Sequence, residues 1–316
     1  MPKINATHPE KWNEDTATSV CMYNDWFLEF APRAYILARE SCMREINRLF
    51  SVTNNLTRID SSIVEQHPTL IKTLRMMCAP PIARDRLAGL AQIPSNFLKA
   101  LEEGKVPKNY HFHAHKFFSV LEKLRDNHLF SWVRSNVQPD AKQLQLANAV
   151  IADRVTGATA DPIIRNEQEK RQLNKIKLFL EEKGYTQVQN MSLSISEMPN
   201  GSFLFRKNVP VFKNGNDEQE GWINTPIDVV IKRKEGNYRL PLFVECKSAG
   251  DYTNTNKRRK EEAAKVAKLQ ATYGQDMTLC LFLCGYFDAG YLGYEAANCM
   301  DWVWEHRIED FNLMGV

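Results

Sequence analysis

Apolar residues in the first half of the chain, 12–152, recur at the spacing of helices. One predicted helix reaches the Asn54-Asn55 pair, which breaks its pattern. A second runs from Thr69 to Met77 and ends before Pro80-Pro81, because a proline disfavours helix in the residue before it. The apolar positions of the first helix are Tyr35, Leu37, Ala38, Met43, Ile46, Leu49 and Phe50.

The second half changes to shorter apolar runs typical of strands. Small and polar residues at 153–161 suggest a boundary, and a strong helix follows and stops at Gly184. The pattern predicts an α+β chain with a helical domain at 1–155 and a domain with one mixed sheet flanked by helices at 156–316. The strand-like runs are Val188–Ile195, Ser202–Val211, Val229–Ile231, Leu240–Val244, Met277–Phe287 and Asp301–Arg307, with a helix at Asn256–Tyr273 between them.

Composition is that of an ordinary globular protein, with 43% hydrophobic and 25% charged residues in 316. The net charge of +3 is small, so any basic surface for a polyanion must be local. Seven cysteines occur singly, which favours free thiols in the cytoplasm over disulfides or zinc. The start lacks the apolar segment of a signal peptide, and no apolar run approaches about 18 residues, so we expect neither secretion nor a membrane span.

Residues 84–104 resemble a helix-turn-helix, with Ser95 as the predicted cap of the second helix. The match departs at Gln92, where such turns commonly carry a glycine in a left-handed conformation. If the second helix enters a DNA groove, its exposed Asn96 and Lys99 would make the contact. An ordinary pair of packed helices explains the same residues, and both interpretations stay open.

Three histidines, His111, His113 and His115, alternate and could converge on a metal from one face of an extended segment. No fourth ligand is evident nearby, so surface or packing roles are favoured. In the helix before Gly184, Glu169 falls within the apolar arc of the helix. A buried carboxylate needs a partner, so either a metal or an arginine meets it there or it is solvated beyond the packed part.

The segment Pro226–Lys247 combines two apolar runs, a polar turn, two acids and a lysine. Antiparallel pairing around the turn would bring Asp228 near Glu245. Glu245 and Lys247 share one face of their strand by the two-residue period, while Cys246 points to the other. Two carboxylates with a backbone carbonyl nearby suit a hard divalent ion such as Mg²⁺. The alternative is a plain salt bridge of either acid with Lys247.

An acid two residues before a lysine is a weak signal alone, because this chain contains four such pairs. Only the last pair follows an apolar strand, whereas the others lie in helices or polar turns. The four are Glu103-Lys105, Asp140-Lys142, Glu181-Lys183 and Glu245-Lys247.

Pro226-Ile227-Asp228 and Glu245-Cys246-Lys247 resemble the signature of the PD-(D/E)xK nuclease superfamily. The flanking segments are similar to the XamI-type group of type II restriction endonucleases, above all ECKSAGDYTNTNKRRKEE. This resemblance implies a restriction-endonuclease-like core at 156–316 behind a helical amino-terminal region. It implies Asp228 and Glu245 as metal ligands, Lys247 as the catalytic lysine, and Glu169 as the acid that many members place on the first core helix. The candidate metal ligands are Asp228, Glu245, Cys246 and Glu169, and the candidate catalytic residues are Asp228, Glu245 and Lys247.

The segment after Lys247 is basic up to Lys260 and mixed afterwards. Asn and Arg suit contacts to base edges, and Lys and Arg neutralise phosphates, so its first turn is expected to contact DNA and the rest, with Glu261, Glu262 and Lys265, to face solvent. The predicted contacts are Asn254, Asn256, Lys257, Arg258, Arg259 and Lys260.

The expected reaction is Mg²⁺-dependent hydrolysis of phosphodiester bonds in double-stranded DNA by water, helped by Lys247. By the resemblance it leaves 5′-phosphate ends at a short palindromic site. A palindrome implies a homodimer, and restriction implies a cognate DNA methyltransferase in the same system. The alternatives are a repair, recombination or RNA-processing nuclease of the same superfamily, and a helix-turn-helix regulator without catalysis.

Overall fold

The computed structural model describes residues 3–135, 137–213, 221–235, 238, 240–253 and 255–316, without the side chains of 255–260. Two compact units divide the chain: Met1–Glu29 with Arg165–Val316, and Phe30–Ile164. The predicted domains, 1–155 and 156–316, differ from these units, because the first 29 residues group with the second half. The stretch 153–161 also lies inside a helix instead of a linker.

Ten α-helices occur in the described residues, and most belong to the 30–164 unit. Two are very long, and each contains one internal proline, Pro32 and Pro162, close to a division between the units. The helices are α1 (Trp12–Val52), α2 (Ser61–Gln66), α3 (Leu70–Met76), α4 (Arg84–Ala91), α5 (Ser95–Glu102), α6 (Tyr110–Leu124), α7 (Ser131–Ser135), α8 (Ala141–Glu182), α9 (Thr255–Tyr273) and α10 (Ala289–Ala297).

The 30–164 unit is helical as predicted, with one apolar core that extends from Cys42 to Val155. The predicted breaks are confirmed, since Asn54 and Asn55 both have positive φ. Helix α3 matches the prediction for Thr69–Met77 to within one residue at each end.

Helices α4 and α5 form the predicted helix pair. Gln92 adopts the left-handed conformation, with φ of 53°, that a glycine commonly supplies in such turns. Ser95 does not cap α5; Pro94 holds the cap position and offers no side-chain acceptor. Asn96 and Lys99 are exposed. The geometry therefore leaves both interpretations of this pair open.

The three alternating histidines lie in helix α6 and not in an extended segment, so the predicted conformation is wrong. His111 and His115 are exposed, one turn apart, whereas His113 is buried. His113 packs edge-on against Phe97 and Phe112. These are surface and packing histidines.

The other unit is built on a six-stranded mixed sheet of order β1-β2-β3-β4-β5-β6. β2, β3 and β4 pair antiparallel in sequence, while β1 joins β2, and β5 and β6 extend β4, in parallel. The strands are β1 (Thr186–Gln187), β2 (Ser202–Phe212), β3 (Trp222–Lys232), β4 (Leu242–Ala249), β5 (Thr278–Gly285) and β6 (Asp301–Trp304). The predicted strand at Val188–Ile195 is wrong, since β1 ends at Gln187.

Both faces of the sheet are covered by helices, so the predicted α+β class with a flanked mixed sheet is confirmed. One face packs on α8 through Leu173, Ile176 and Leu180, the predicted core arc of that helix. The other face packs on α9 and α10, through Val266, Leu269 and others. Helix α8 ends at Glu182, and Gly184 just after it has a φ of 73°, the left-handed conformation that commonly ends a helix.

No described helix is both long enough and apolar enough to span a lipid bilayer.

Candidate active site

The antiparallel ladder between β3 and β4 brings the predicted acids together. Val229 pairs with Val244, and continuing this register sets Asp228 beside Glu245. The Cys246 backbone N–H donates to Asp228 Oδ2 at 2.8 Å. The turn expected between these strands, at 235–237, lies partly outside the described residues, but the pairing predicted for the strands is confirmed.

Asp228 sits where the regular alternation of side chains in β3 breaks. Val229 and Ile231 are buried on the α8 face, whereas Ile227 and Val230 are buried on the α9 face. The neighbouring strand is irregular at the same level, since Arg206 has a φ of 50°. Such irregularities redirect a side chain, and here one falls at the candidate catalytic acid.

Glu245 and Lys247 face α9, on the side opposite to Cys246, as the strand period predicts. Glu245 is 2% exposed. Lys247 Nζ lies 3.4 Å from Glu245 Oε2, and Lys265 Nζ lies 2.8 Å from Glu245 Oε1. Lys265 also donates to the Pro226 carbonyl at 2.8 Å. Two ammonium groups therefore compensate one buried carboxylate.

Helix α9 contributes a further acid that the sequence did not reveal. Glu262 is 2% exposed, accepts a hydrogen bond from the Tyr291 hydroxyl at 2.6 Å, and lies 3.7 Å from Lys247 Nζ. The expectation that Glu262 and Lys265 face solvent is wrong. They are three residues apart, so both lie on the face of α9 that packs on the sheet. The three-residue spacing was the only sign in the sequence that Glu262 and Lys265 share a face. Exposed pairs of charges on helices have the same spacing, so it does not indicate burial.

The electrostatics of the site follow from burial and from the charges around it. Burial, and then the Glu245 carboxylate, raise the pKa of Asp228 to about 6. Burial alone would lower the pKa of Lys247, but Glu245, Glu262 and Asp228 outweigh it and raise the pKa of this lysine. Lys247 therefore carries a positive charge at neutral pH.

The residues of this site fit a hard divalent cation. Asp228 and Glu245 offer carboxylate oxygens, and Cys246, next to Glu245 in β4, offers its backbone carbonyl. Burial raises the pKa of the Cys246 thiol well above its usual range, so the sulfur stays protonated. Among described residues, no three His, Cys, Asp or Glu side chains form a cage for a metal. Mg²⁺ suits such a site, because it is usually held by one or two carboxylates together with substrate phosphates.

Glu169 lies near this site but is paired with arginine. Its Oε1 accepts from Arg206 at 2.9 Å, with the Glu169 side chain about 41% exposed. The sequence predicted a metal, an arginine or solvent around Glu169, and in the structure an arginine, Arg206, pairs with it. Glu169 also borders a cavity of about 290 Å³ that includes Asp228. That cavity is lined by Arg165, Gln168, Glu169, Gln172, Asp228, Cys246 and Ser248.

The predicted DNA contacts after β4 are only partly within the described structure. Asn254 lies outside the described residues, and so do the side chains of Asn256, Lys257, Arg258, Arg259 and Lys260. The backbone of 255–260 forms the first turns of α9. Their contact with DNA stays a prediction.

Sequence comparison links most of the chain to one family. The family model described as XamI restriction endonuclease matches residues 54–304. The chain is 46% identical to the type II restriction enzyme SalI of Streptomyces albus G, over 99% of both chains. It is 26% identical to the type II restriction enzyme XamI of Xanthomonas campestris pv. amaranthicola, over 62% of this chain and 65% of that one.

Comparison with solved structures yields a remote likeness. Protein VC1899 from Vibrio cholerae aligns with 80% of this chain and 53% of its own, at 11% identity and a TM-score of 0.28. A score at this level carries no information about the fold or function of this chain.

Proposed function

The chain belongs to the XamI restriction endonuclease family, and on this premise we propose that Asp228, Glu245 and Lys247 form the centre with which it cuts DNA. It is a type II restriction endonuclease, a site-specific deoxyribonuclease that acts on double-stranded DNA. The observation that carries the assignment of the centre is the β3–β4 ladder, which sets Asp228 beside Glu245 with Lys247 on the face of Glu245.

The two acids hold the metal in this proposal, together with the Cys246 carbonyl. A divalent cation, with Mg²⁺ as the proposed ion, supplies charge stabilisation for the phosphate oxygens and the leaving 3′ oxygen. Support comes from the raised pKa of Asp228, which burial and then the Glu245 carboxylate cause, because a cation beside both acids would offset the cost of keeping Asp228 ionised. Glu169 stays a candidate that would have to leave Arg206 to take part.

Lys247 is a charged group in this site and not a neutral base. Its raised pKa keeps the ammonium protonated, so it offsets charge on the phosphate and orients the attacking water through an N–H donor. The water oxygen attacks phosphorus in line with the 3′ oxygen and gives up a proton to solvent, the P–O3′ bond breaks, and the 3′ oxygen takes up a proton from solvent. The products carry 5′-phosphate and 3′-hydroxyl ends.

The partners complete the proposal. A palindromic recognition site requires a two-fold protein, so we propose a homodimer. A cognate DNA methyltransferase would protect the host chromosome. Seven free thiols are in keeping with a cytoplasmic location.

Substitution of the centre tests the assignment. Asp228→Asn and Lys247→Met should each lower the rate of plasmid cleavage in Mg²⁺ by roughly 1000-fold, because each removes charge stabilisation in the transition state. Binding to a duplex that contains the cut site should stay within a few-fold of wild type. Gel shift and single-turnover cleavage measure the two properties.

Asp276→Asn is the matched control, since Asp276 is exposed and precedes β5 at the opposite end of the sheet. It should cut like the wild type. Full activity in Asp228→Asn or Lys247→Met would remove that residue from the centre.

A further inference from the structure

The outer halves of β2 and β3 form a two-stranded ribbon, residues 207–212 and 222–227. In the described ladders these residues pair only with one another, because β4 meets β3 at 229–231 and β1 meets β2 at 202–203. The ribbon therefore extends beyond the rest of the sheet, and it starts at Asp228.

One face of the ribbon is anchored. Val209, Val211 and Ile227 are fully buried against the core that includes α9. The Tyr273 hydroxyl donates to the Pro210 carbonyl at 2.6 Å, and the Phe212 N–H donates to Thr272 Oγ1 at 2.9 Å. A two-stranded hairpin is marginal alone, and packing on a helix stabilises it. Helix α9 therefore holds the ribbon in place where it extends beyond the rest of the sheet.

The opposite face of the ribbon is open and polar at its centre. Asn208 and Asn224 are exposed there, on the face opposite to Val209, Val211 and Ile227. Phe212 and Trp222 close its far end, with ring centroids 4.6 Å apart. The described residues of this outer face include no acid before Asp228. Its members are Asn208, Pro210, Phe212, Trp222, Asn224 and Pro226.

No side-chain hydrogen bond within the described structure explains why these two strand positions are asparagines. Neither side chain makes a hydrogen bond to another described residue, and asparagine is disfavoured in strands. Pro210 pairs with Asn224 and Asn208 with Pro226, so the asparagines are diagonal neighbours, about 7–8 Å apart. That separation is about two base-pair steps of B-DNA at roughly 3.4 Å each.

The dimensions fit the groove next to a cut phosphate. Asn224 is four residues from Asp228, or about 13 Å along the strand at about 3.3 Å per residue. The major groove, about 12 Å wide, admits a two-stranded β-ribbon, and the asparagine amide pairs with the N6 and N7 edge of adenine.

We infer that this ribbon enters the major groove beside the scissile phosphodiester and that Asn208 and Asn224 each contact an adenine of the recognition site. The inference rests on the proposed function and assigns part of its sequence specificity. The ribbon is distinct from the segment 254–260 that the sequence singled out.

Specificity measurements on asparagine variants test the inference. The probes are a short duplex with the site mapped from the enzyme's own plasmid digest, and duplexes with one A·T pair of that site replaced. Asn208→Ala and Asn224→Ala should each lower kcat/KM on the cognate duplex roughly 5- to 150-fold, and each should lose discrimination only at one A·T position of each half-site. The slope of log affinity against log salt should stay at the wild-type value, because no phosphate contact is lost.

Asn174→Ala is the matched control, an exposed asparagine on α8, and it should behave like wild type. Variants that keep full discrimination at every pair would overturn the ribbon assignment, and so would variants that lose affinity equally for all duplexes. Both alanine variants are exposed substitutions, and thermal unfolding verifies that they fold. A wild type that cuts plasmid without discrete fragments would instead refute the proposed function.

Discussion

At the scale of single residues, identical side chains differ in role because their surroundings differ. Glu261 and Glu262 are adjacent in sequence, yet Glu261 is exposed and Glu262 is buried beside Lys247. Asp228 and Asp276 differ in the same way. The chemistry of each acid depends on how deeply it is buried and on which charged groups lie beside it. The residue type alone reveals neither its burial nor its neighbours.

Asp228→Asn is expected to stabilise the metal-free protein at neutral pH. The pKa of Asp228 rises from 3.8 to about 6, so ionising it costs more in the folded chain than in the unfolded one. Stability therefore falls as pH rises from about 4 to about 6 and is level above that. The amide removes a penalty on the order of 3 kcal/mol at about pH 8, while its oxygen can still accept the Cys246 N–H.

Thermal unfolding in EDTA measures this gain, which should shrink as the pH falls toward about 4. Adding Mg²⁺ should raise the melting temperature of the wild type and have little effect on the variant. A variant less stable than wild type at about pH 8 would contradict the unfavourable ionisation assigned to Asp228.

At the scale of elements, helix α9 supports both functional parts of the sheet. Its Glu262 and Lys265 hold Lys247 and Glu245, and Thr272 and Tyr273 at its end hold the ribbon. The helix itself was predicted from periodicity at 256–273, close to its observed bounds. The prediction that Glu262 and Lys265 face solvent was wrong, because charged residues occur on both the buried and the exposed face of this helix.

Glu262→Gln is expected to lower kcat roughly 10- to 100-fold, as loss of a group that positions a catalytic residue commonly does. The amide can still accept from Tyr291, but it no longer attracts the Lys247 ammonium. KM and DNA affinity should change little, because Glu262 is buried away from the ligand. Single-turnover kinetics and gel shift separate these effects.

Glu261→Gln, one residue earlier and exposed, should keep wild-type kcat. Equal losses in the two variants would point to a general effect of charge, and an unchanged kcat in Glu262→Gln would leave Glu262 as a structural acid only.

At the scale of the whole molecule, two compact units share two long helices, α1 and α8. The predicted boundary at 155 followed from small residues in the sequence, but these lie within α8. A long helix tolerates Gly157, Thr156 and Ala158 when its neighbours pack around them, so local composition gives a poor guide to the division.

The protein is expected to be a dimer of twice 36.4 kDa in solution and on DNA. Sedimentation at micromolar concentration, alone and with the cognate duplex, measures the mass. Plasmid digestion in Mg²⁺ should give discrete fragments with 5′-phosphate ends, which ligation detects. A monomeric mass in both conditions would rule out the dimer, whereas smeared products would favour a repair or recombination nuclease.

The sequence alone determined the class of fold, and it predicted the three side chains that we propose as the centre. Strand period and a Glu-x-Lys after an apolar run are local properties, so the sequence could predict that Asp228 lies beside Glu245 with Lys247 on the face of Glu245, and the structure has this arrangement. Most helices were found for the same reason. The strand predicted at 188–195 does not form, because an apolar pattern shows what can pair and not whether a partner strand is within reach.

Only the tertiary structure decided which charges meet. Glu262 and Lys265 are 15 or more residues from Lys247 and Glu245, and Arg206 is 37 residues from Glu169. The ribbon likewise exists because the pairing of β2 with β3 continues beyond the residues that pair with β1 and β4. Contacts of this kind follow from packing between elements, and the energy of packing depends on the whole arrangement and on no single stretch of residues.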